Sequence, residues 1–79
     1  MPKYRLEFIL HTHDTTPQLI KDSIVRLGEK FEILKLPQDA AGTGEDFKIN
    51  MYADDPTIIF DTCAQFGRIK SVKIDEPGG

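Results

Sequence analysis

The changes of apolar period along the chain predict an α+β domain with the element order strand, helix, strand, strand, helix, strand. Three observations carry this. Tyr4, Leu6, Phe8 and Leu10 alternate with Arg5, Glu7 and His11, the period of a strand with one buried face. Two later segments, each opened by a capping residue and a proline (Thr16-Pro17 and Asp55-Pro56), carry apolar stripes at helical spacing. Glycine and proline then punctuate the remaining apolar runs into short strands. Each helix has one apolar stripe, so both can lie on the same face of a four-stranded antiparallel sheet. Right-handed crossovers turn that order into a two-layer βαββαβ sandwich with strand order 4-1-3-2.

In order, the first strand covers residues 3–11, with Ile9 out of step with the alternation. Helix 1 spans 17–28: Leu19, Ile20, Ser23, Ile24 and Leu27 share one side, and Gly28 suits a left-handed cap. Phe31 to Leu36 is the second strand, stopped by Pro37. Gln38 to Asp46 has no large apolar side chain and reads as a mobile hairpin. Phe47, Ile49 and Met51 alternate with Lys48, Asn50 and Tyr52 in the third strand. Helix 2 follows Pro56, with Ile59, Cys63 and Phe66 as its stripe and Gly67 at its end. Ile69 to Asp75 closes the sheet, with Val72 and Ile74 inward. The expected core contains Leu6, Phe8, Ile20, Ile24, Leu27, Ile49, Ile59, Cys63, Phe66 and Val72.

A chain of 79 residues has room for one domain, placed at 1–76, with a flexible polar tail at 77–79. Hydrophobic residues make up 39% and charged residues 29%, which excludes a mainly disordered chain. Ten Lys and Arg against 13 Asp and Glu give a net charge of −3, which argues against a nucleic-acid partner. The single cysteine, Cys63, excludes an internal disulfide and a four-cysteine metal site. Its place in the helix 2 stripe marks it as a buried, inert thiol. No apolar run follows the charged N-terminus and none reaches membrane-spanning length, so the expected setting is cytoplasmic, with no membrane partner.

The predicted topology gathers His11, His13, Asp14, Thr15, Thr16, Gly42, Gly44, Glu45, Asp46, Arg68 and Lys70 at one end of the domain. Two chemistries follow. His11 and His13, two apart on an extended chain, point the same way and can hold a divalent metal such as zinc or nickel, with Asp14 and Asp46 completing the set. Such a site binds weakly and fades on acidification, because imidazole ligates only when neutral. Alternatively His13, Thr15, Thr16, Gly42, Gly44 and Arg68 can receive a small anionic ligand beside the helix N-terminus. Gly42-Thr43-Gly44 is not a phosphate loop: it lacks the Lys-Ser/Thr pair and does not join a strand to a helix. Asp54 and Asp55 suit a helix start, and no nucleophile–base pair is legible.

The topology resembles the small ferredoxin-like domains. RNA-recognition motifs share it, but their base-stacking aromatics are represented here by Tyr52 alone, and Gly44 to Met51 does not match their third-strand signature. Acylphosphatases carry an Arg, and copper chaperones a Cys pair, before helix 1; residues 11–16 contain neither. Tyr4-Arg5-Leu6-Glu7-Phe8, Pro17, Phe31-Glu32-Ile33-Leu34 and the glycines at 42 and 44 are similar to ACT-like ligand-sensing domains, including the NIL type. That resemblance implies the ferredoxin-like fold and regulatory association. It transfers no ligand residues, because residues 11–16 lack the family's glycine. The terminal Gly78-Gly79 resembles that of ubiquitin-like modifiers, whose fold opens on a hairpin that this chain lacks. The combined expectation is a non-enzymatic binding, regulatory or assembly module, with a homodimer or protein partner on the sheet face or an edge strand. The alternative is a metal-binding protein using His11 and His13.

Overall fold

Strand β1 (Tyr4–Thr12) buries Leu6, Phe8, Leu10 and Thr12 and leaves Arg5, Glu7, Ile9 and His11 on its other side. Its partner β3 (Glu45–Ala53) buries Phe47, Ile49, Met51 and Ala53 in the same rhythm. The two pair antiparallel so that Leu6 faces Met51, Phe8 faces Ile49 and Leu10 faces Phe47. Cross-strand partners share a face, so these six side chains form one apolar sheet surface. The computed structural model describes residues 4–13, 15–37 and 43–76. Asp14, the first part of the expected hairpin (38–42) and the expected tail (77–79) lie outside the described residues.

Between these strands come helix α1 (Pro17–Ile24), a 3₁₀ turn (Val25–Leu27) and strand β2 (Gly28–Lys35). After β3 come helix α2 (Pro56–Ala64) and strand β4 (Arg68–Asp75). The sheet order is β2-β3-β1-β4 with every neighbouring pair antiparallel, which is the expected 4-1-3-2 read from the other edge. Both helices begin as their sequences dictate. The Thr16 hydroxyl oxygen accepts the Leu19 N–H at 3.3 Å, and an Asp55 carboxylate oxygen accepts the Thr57 N–H at 3.0 Å. Ile20 and Ile24 of α1 and Ile59 and Cys63 of α2 join the core formed by β1 and β3, so both helices cover one face. The Phe60 ring meets Phe8 edge-on, with centroids 5.2 Å apart and planes at 76°. No helix among the described residues is long and apolar enough to cross a membrane.

Several expectations need correction. Helix 1 stops at Ile24 rather than 28, and Leu27 closes the 3₁₀ turn in an exposed position. Leu19 is likewise exposed, so the α1 stripe is narrower than its sequence predicts. Gly28 is not a left-handed cap. Its φ of −164° is extended, and it opens β2 opposite Ala53. Glycine is required there by closeness, because a Cβ would overlap the Tyr52 carbonyl oxygen. Phe66 is only half-buried against the core. Val72, expected in the core, is 46% exposed, and Ile74 is 45% exposed.

The exposure of Val72 and Ile74 has a structural cause. In β4 the register against β1 slips between Lys70, opposite Ile9, and Lys73, opposite Glu7. Two residues, Ser71 and Val72, therefore face the single position Phe8, and Ser71 adopts a left-handed φ of 55°. An equivalent bulge interrupts β2, where Lys30 (φ 53°) and Phe31 face Met51. There the Lys30 ammonium lies 5.4 Å from the Tyr52 ring centroid. The period-two reading of β4 breaks at its bulge, and as an edge strand β4 has a neighbour on one side only.

Phe8 is fully buried at the centre of the sheet, between the Ile49 row and Phe60. Phe8→Ala should cost about 3–5 kcal/mol of unfolding free energy, read from a shifted urea midpoint.

Candidate functional site

The register that packs the core also sets the opposite face of the sheet. His11 on β1 lies between Asp46 on β3 and Arg68 on β4. Its Nδ1 is 2.6 Å from Asp46 Oδ1, and both side chains are 28% exposed. The other carboxylate oxygen of Asp46 is 3.2 Å from Lys70 Nζ. Lys70 reaches it across β1 because the β4 bulge lies beyond this point, leaving Lys70 aligned with Ile9. The hydrogen bond from His11 holds the Asp46 carboxyl below its ordinary value of 3.8; partial burial opposes this, and Lys70 adds to the lowering. An ionised Asp46 accepts only, so the shared proton sits on His11 Nδ1. In the neutral ring, Nε2 then carries the lone pair.

That second nitrogen is not turned into the sheet. Gly44, with φ +82°, has no side chain, and the position its Cβ would take is 3.0 Å from both His11 Nε2 and His13 Nδ1. A side chain there would also overlap the Thr12 carbonyl oxygen. The glycine thus opens the space into which the two imidazoles converge. Their rings meet edge-on, 5.0 Å apart at 90°. Beside them lies a cleft of about 400 Å³ lined by His11, His13, Thr43, Gly67 and Arg68. Glu45, at the same end, is paired with Lys35 at 3.3 Å.

The structure therefore brings His11, His13, Gly44, Asp46, Arg68 and Lys70 to one end of the sheet, as the topology predicts. Thr15 and Thr16 do not line the cleft, and the Thr16 hydroxyl serves as the α1 cap. Asp14 and Gly42 lie outside the described residues. Asp46 has both carboxylate oxygens engaged, on His11 and Lys70. Among the described residues, no group of three or more His, Cys, Asp or Glu side chains is arranged to hold a metal ion. The His11–Asp46 pair, separated by 35 positions in sequence, has no local signature. Thr43 and Gly67 enter the lining only through the fold. The Thr12 hydroxyl, buried at the same end of β1, has no hydrogen-bond partner among the described residues. Another depression, of about 450 Å³, lies toward β2, between Glu32, Leu34, Lys48 and Asn50.

Cys63 takes no part in this site. It is fully buried between α2 and the sheet, and burial pushes its thiol up to about 12. No family model, curated protein or solved structure matches this chain.

Two outcomes follow. Cys63 should react slowly with a thiol reagent in the native protein and rapidly in denaturant, as followed by absorbance of the released chromophore. Asp46 has a lowered folded pKa, so its contribution is complete above 3.8 and is lost as pH falls through the folded value. Asp46→Asn should thus cost about 1 kcal/mol at neutral pH, and the gap from wild type should close below 3.8 in a pH series of urea melts.

Proposed function

We propose that this chain is a non-enzymatic, ferredoxin-like module that binds a small anionic ligand in the cleft between His11, His13 and Arg68. The observation that carries this reading is the engagement of Asp46. A carboxylate at the mouth of an anion site repels its ligand, but here both Asp46 oxygens are held, by His11 and Lys70. The neighbouring Glu45 is likewise held by Lys35. Among the described residues Arg68 has no carboxylate partner, so its planar fork of donors is available to a phosphate or carboxylate. His13 adds a donor on the other wall. The order β2-β3-β1-β4 with both helices on one face supports the ferredoxin-like assignment. A binding site at the end of β1 suits the regulatory association implied by the resemblance to ACT-like domains.

A second reading is favoured by the orientation of His11. An imidazole whose Nδ1 donates to a carboxylate presents Nε2 as metal-ligating histidines do, and His13 Nδ1 faces the same space above Gly44. In that reading Asp46 orients a ligand rather than serving as one. Two imidazoles alone give weak, labile binding of zinc or nickel.

One experiment separates the two: titration of the isotopically labelled protein with inorganic phosphate and, separately, with zinc, followed by amide NMR shifts. Phosphate should move His13, Thr43, Gly67 and Arg68, and Arg68→Ala should weaken it roughly tenfold or more. Absence of any shift with phosphate in the tens of millimolar sinks the anion reading. Zinc shifts around His11 and His13 that fade on acidification, survive Arg68→Ala and vanish in His11→Ala/His13→Ala would select the metal reading.

A further inference from the structure

The β4 edge is built unlike an ordinary guarded edge. A bulge and lysines normally keep an edge strand from pairing with another chain, and β4 has both. Yet the bulge changes which residues of β4 share a face. Arg68 lies opposite His11 and Asp75 opposite Arg5, so both stand on the open face of the sheet. Ile69 lies opposite Leu10 and Ile74 opposite Leu6, so both stand on the helix-covered face. In a regular strand, residues 68 and 75, seven apart, would point to opposite faces, and so would 69 and 74. The extra residue at Ser71–Val72 brings each pair to the same side.

This makes β4 complementary to itself. We propose that a second copy of this chain pairs antiparallel with β4 along its free edge, joining two sheets into one of eight strands. The register that sets Arg68 opposite Asp75 of the other copy also sets Ile69 opposite its Ile74, and two-fold symmetry repeats both contacts. The resulting pairs are opposite-charge on one face and apolar on the other, the combinations that stabilise cross-strand neighbours. Lys70 falls opposite Lys73 of the other copy. Each of these lysines faces a carboxylate of its own sheet, Asp46 at 3.2 Å and Glu7 at 3.9 Å, so the like-charge approach is compensated.

The exposed apolar side chains of β4 support the same occupant. Val72 and Ile74 are nearly half exposed, although Ile74 is on the side of the sheet that elsewhere forms the core. β2, the other edge, has no such match. The register that spans its own bulge sets Gly28, which has no side chain, against Ile33 of a second copy on the helix-covered face, and Glu29 against Glu32 on the open face. An eight-residue edge contact is small, well under a standard interface, so the dimer is weak and concentration-dependent.

The test is sedimentation equilibrium of the full chain over about 10 µM to 1 mM, with intermolecular NOEs from a mixed-label sample. Mass should rise from 8.9 kDa toward twice that value with concentration. Asp75→Arg should weaken dimerisation tenfold or more by setting arginine against arginine. Arg68→Asp/Asp75→Arg should restore it. NOEs between the Ile69 and Ile74 methyl groups of different copies should mark the register. Circular dichroism and amide spectra establish that each variant is folded. An 8.9 kDa species at every concentration overturns the proposal. So does a dimer insensitive to Asp75→Arg, or one whose intermolecular NOEs arise from Ile9 and Tyr52 on the open face.

Discussion

The pairing of β1 with β3 is the constraint on which everything else rests. These two central strands supply eight of the buried side chains, and their register places Leu6, Phe8 and Leu10 directly across from Met51, Ile49 and Phe47. A slip of one residue would carry all of them to the open face and bring Arg5, Glu7, Lys48 and Asn50 under the helices. Burying those charged and polar groups without partners costs far more than any local preference can offset. The register is therefore dictated by the core, and α1 and α2 dock on a surface that the two strands have already specified. The same ladder fixes the open face as a by-product: once Leu10 meets Phe47, His11 must meet Asp46.

The candidate site inherits its precision from that ladder rather than from its loops. His11 and Asp46 project from paired strand positions, and their 2.6 Å contact is set by backbone pairing as much as by attraction. Lys70 joins from β4 on the other side of β1, so one carboxylate of β3 is held by groups from two other strands. The cleft beside it combines these rigid positions with Thr43, Gly44 and Gly67 at the strand ends. Asp46 is central to its chemistry. Its negative charge is compensated within the sheet, and through His11 Nδ1 it determines which imidazole nitrogen faces outward.

The two outer strands show how an irregularity is reused. Lys30 in β2 and Ser71 in β4 both take left-handed backbone angles, and each bulge lies opposite a buried residue of the adjacent central strand, Met51 and Phe8. The halves of the chain are thus alike in their defects as well as in their order of elements. In β2 the bulge lies where Lys30 reaches the Tyr52 ring. In β4 it divides the strand into two stretches that match each other when turned end over end.

What could be read from the sequence is what depends on near neighbours. The alternation through Tyr4–Leu10 and Phe47–Met51, the caps at Thr16 and Asp55, and the prolines behind them are all decided within a few residues. From these, the α+β class, the strand order and seven of the ten expected core residues were legible, because sheet topology leaves few ways to bury such faces. The tertiary structure alone decided the rest. Gly28 is glycine because of a carbonyl 24 positions away, a closeness no local pattern records. Val72 and Ile74 are exposed because β4 is an edge with a bulge, and Leu27 because α1 ends one turn early. The Asp46–His11–Lys70 contact joins three strands. Periodicity reports which way a side chain points relative to its own backbone; what stands opposite it is set by the register between strands distant in sequence.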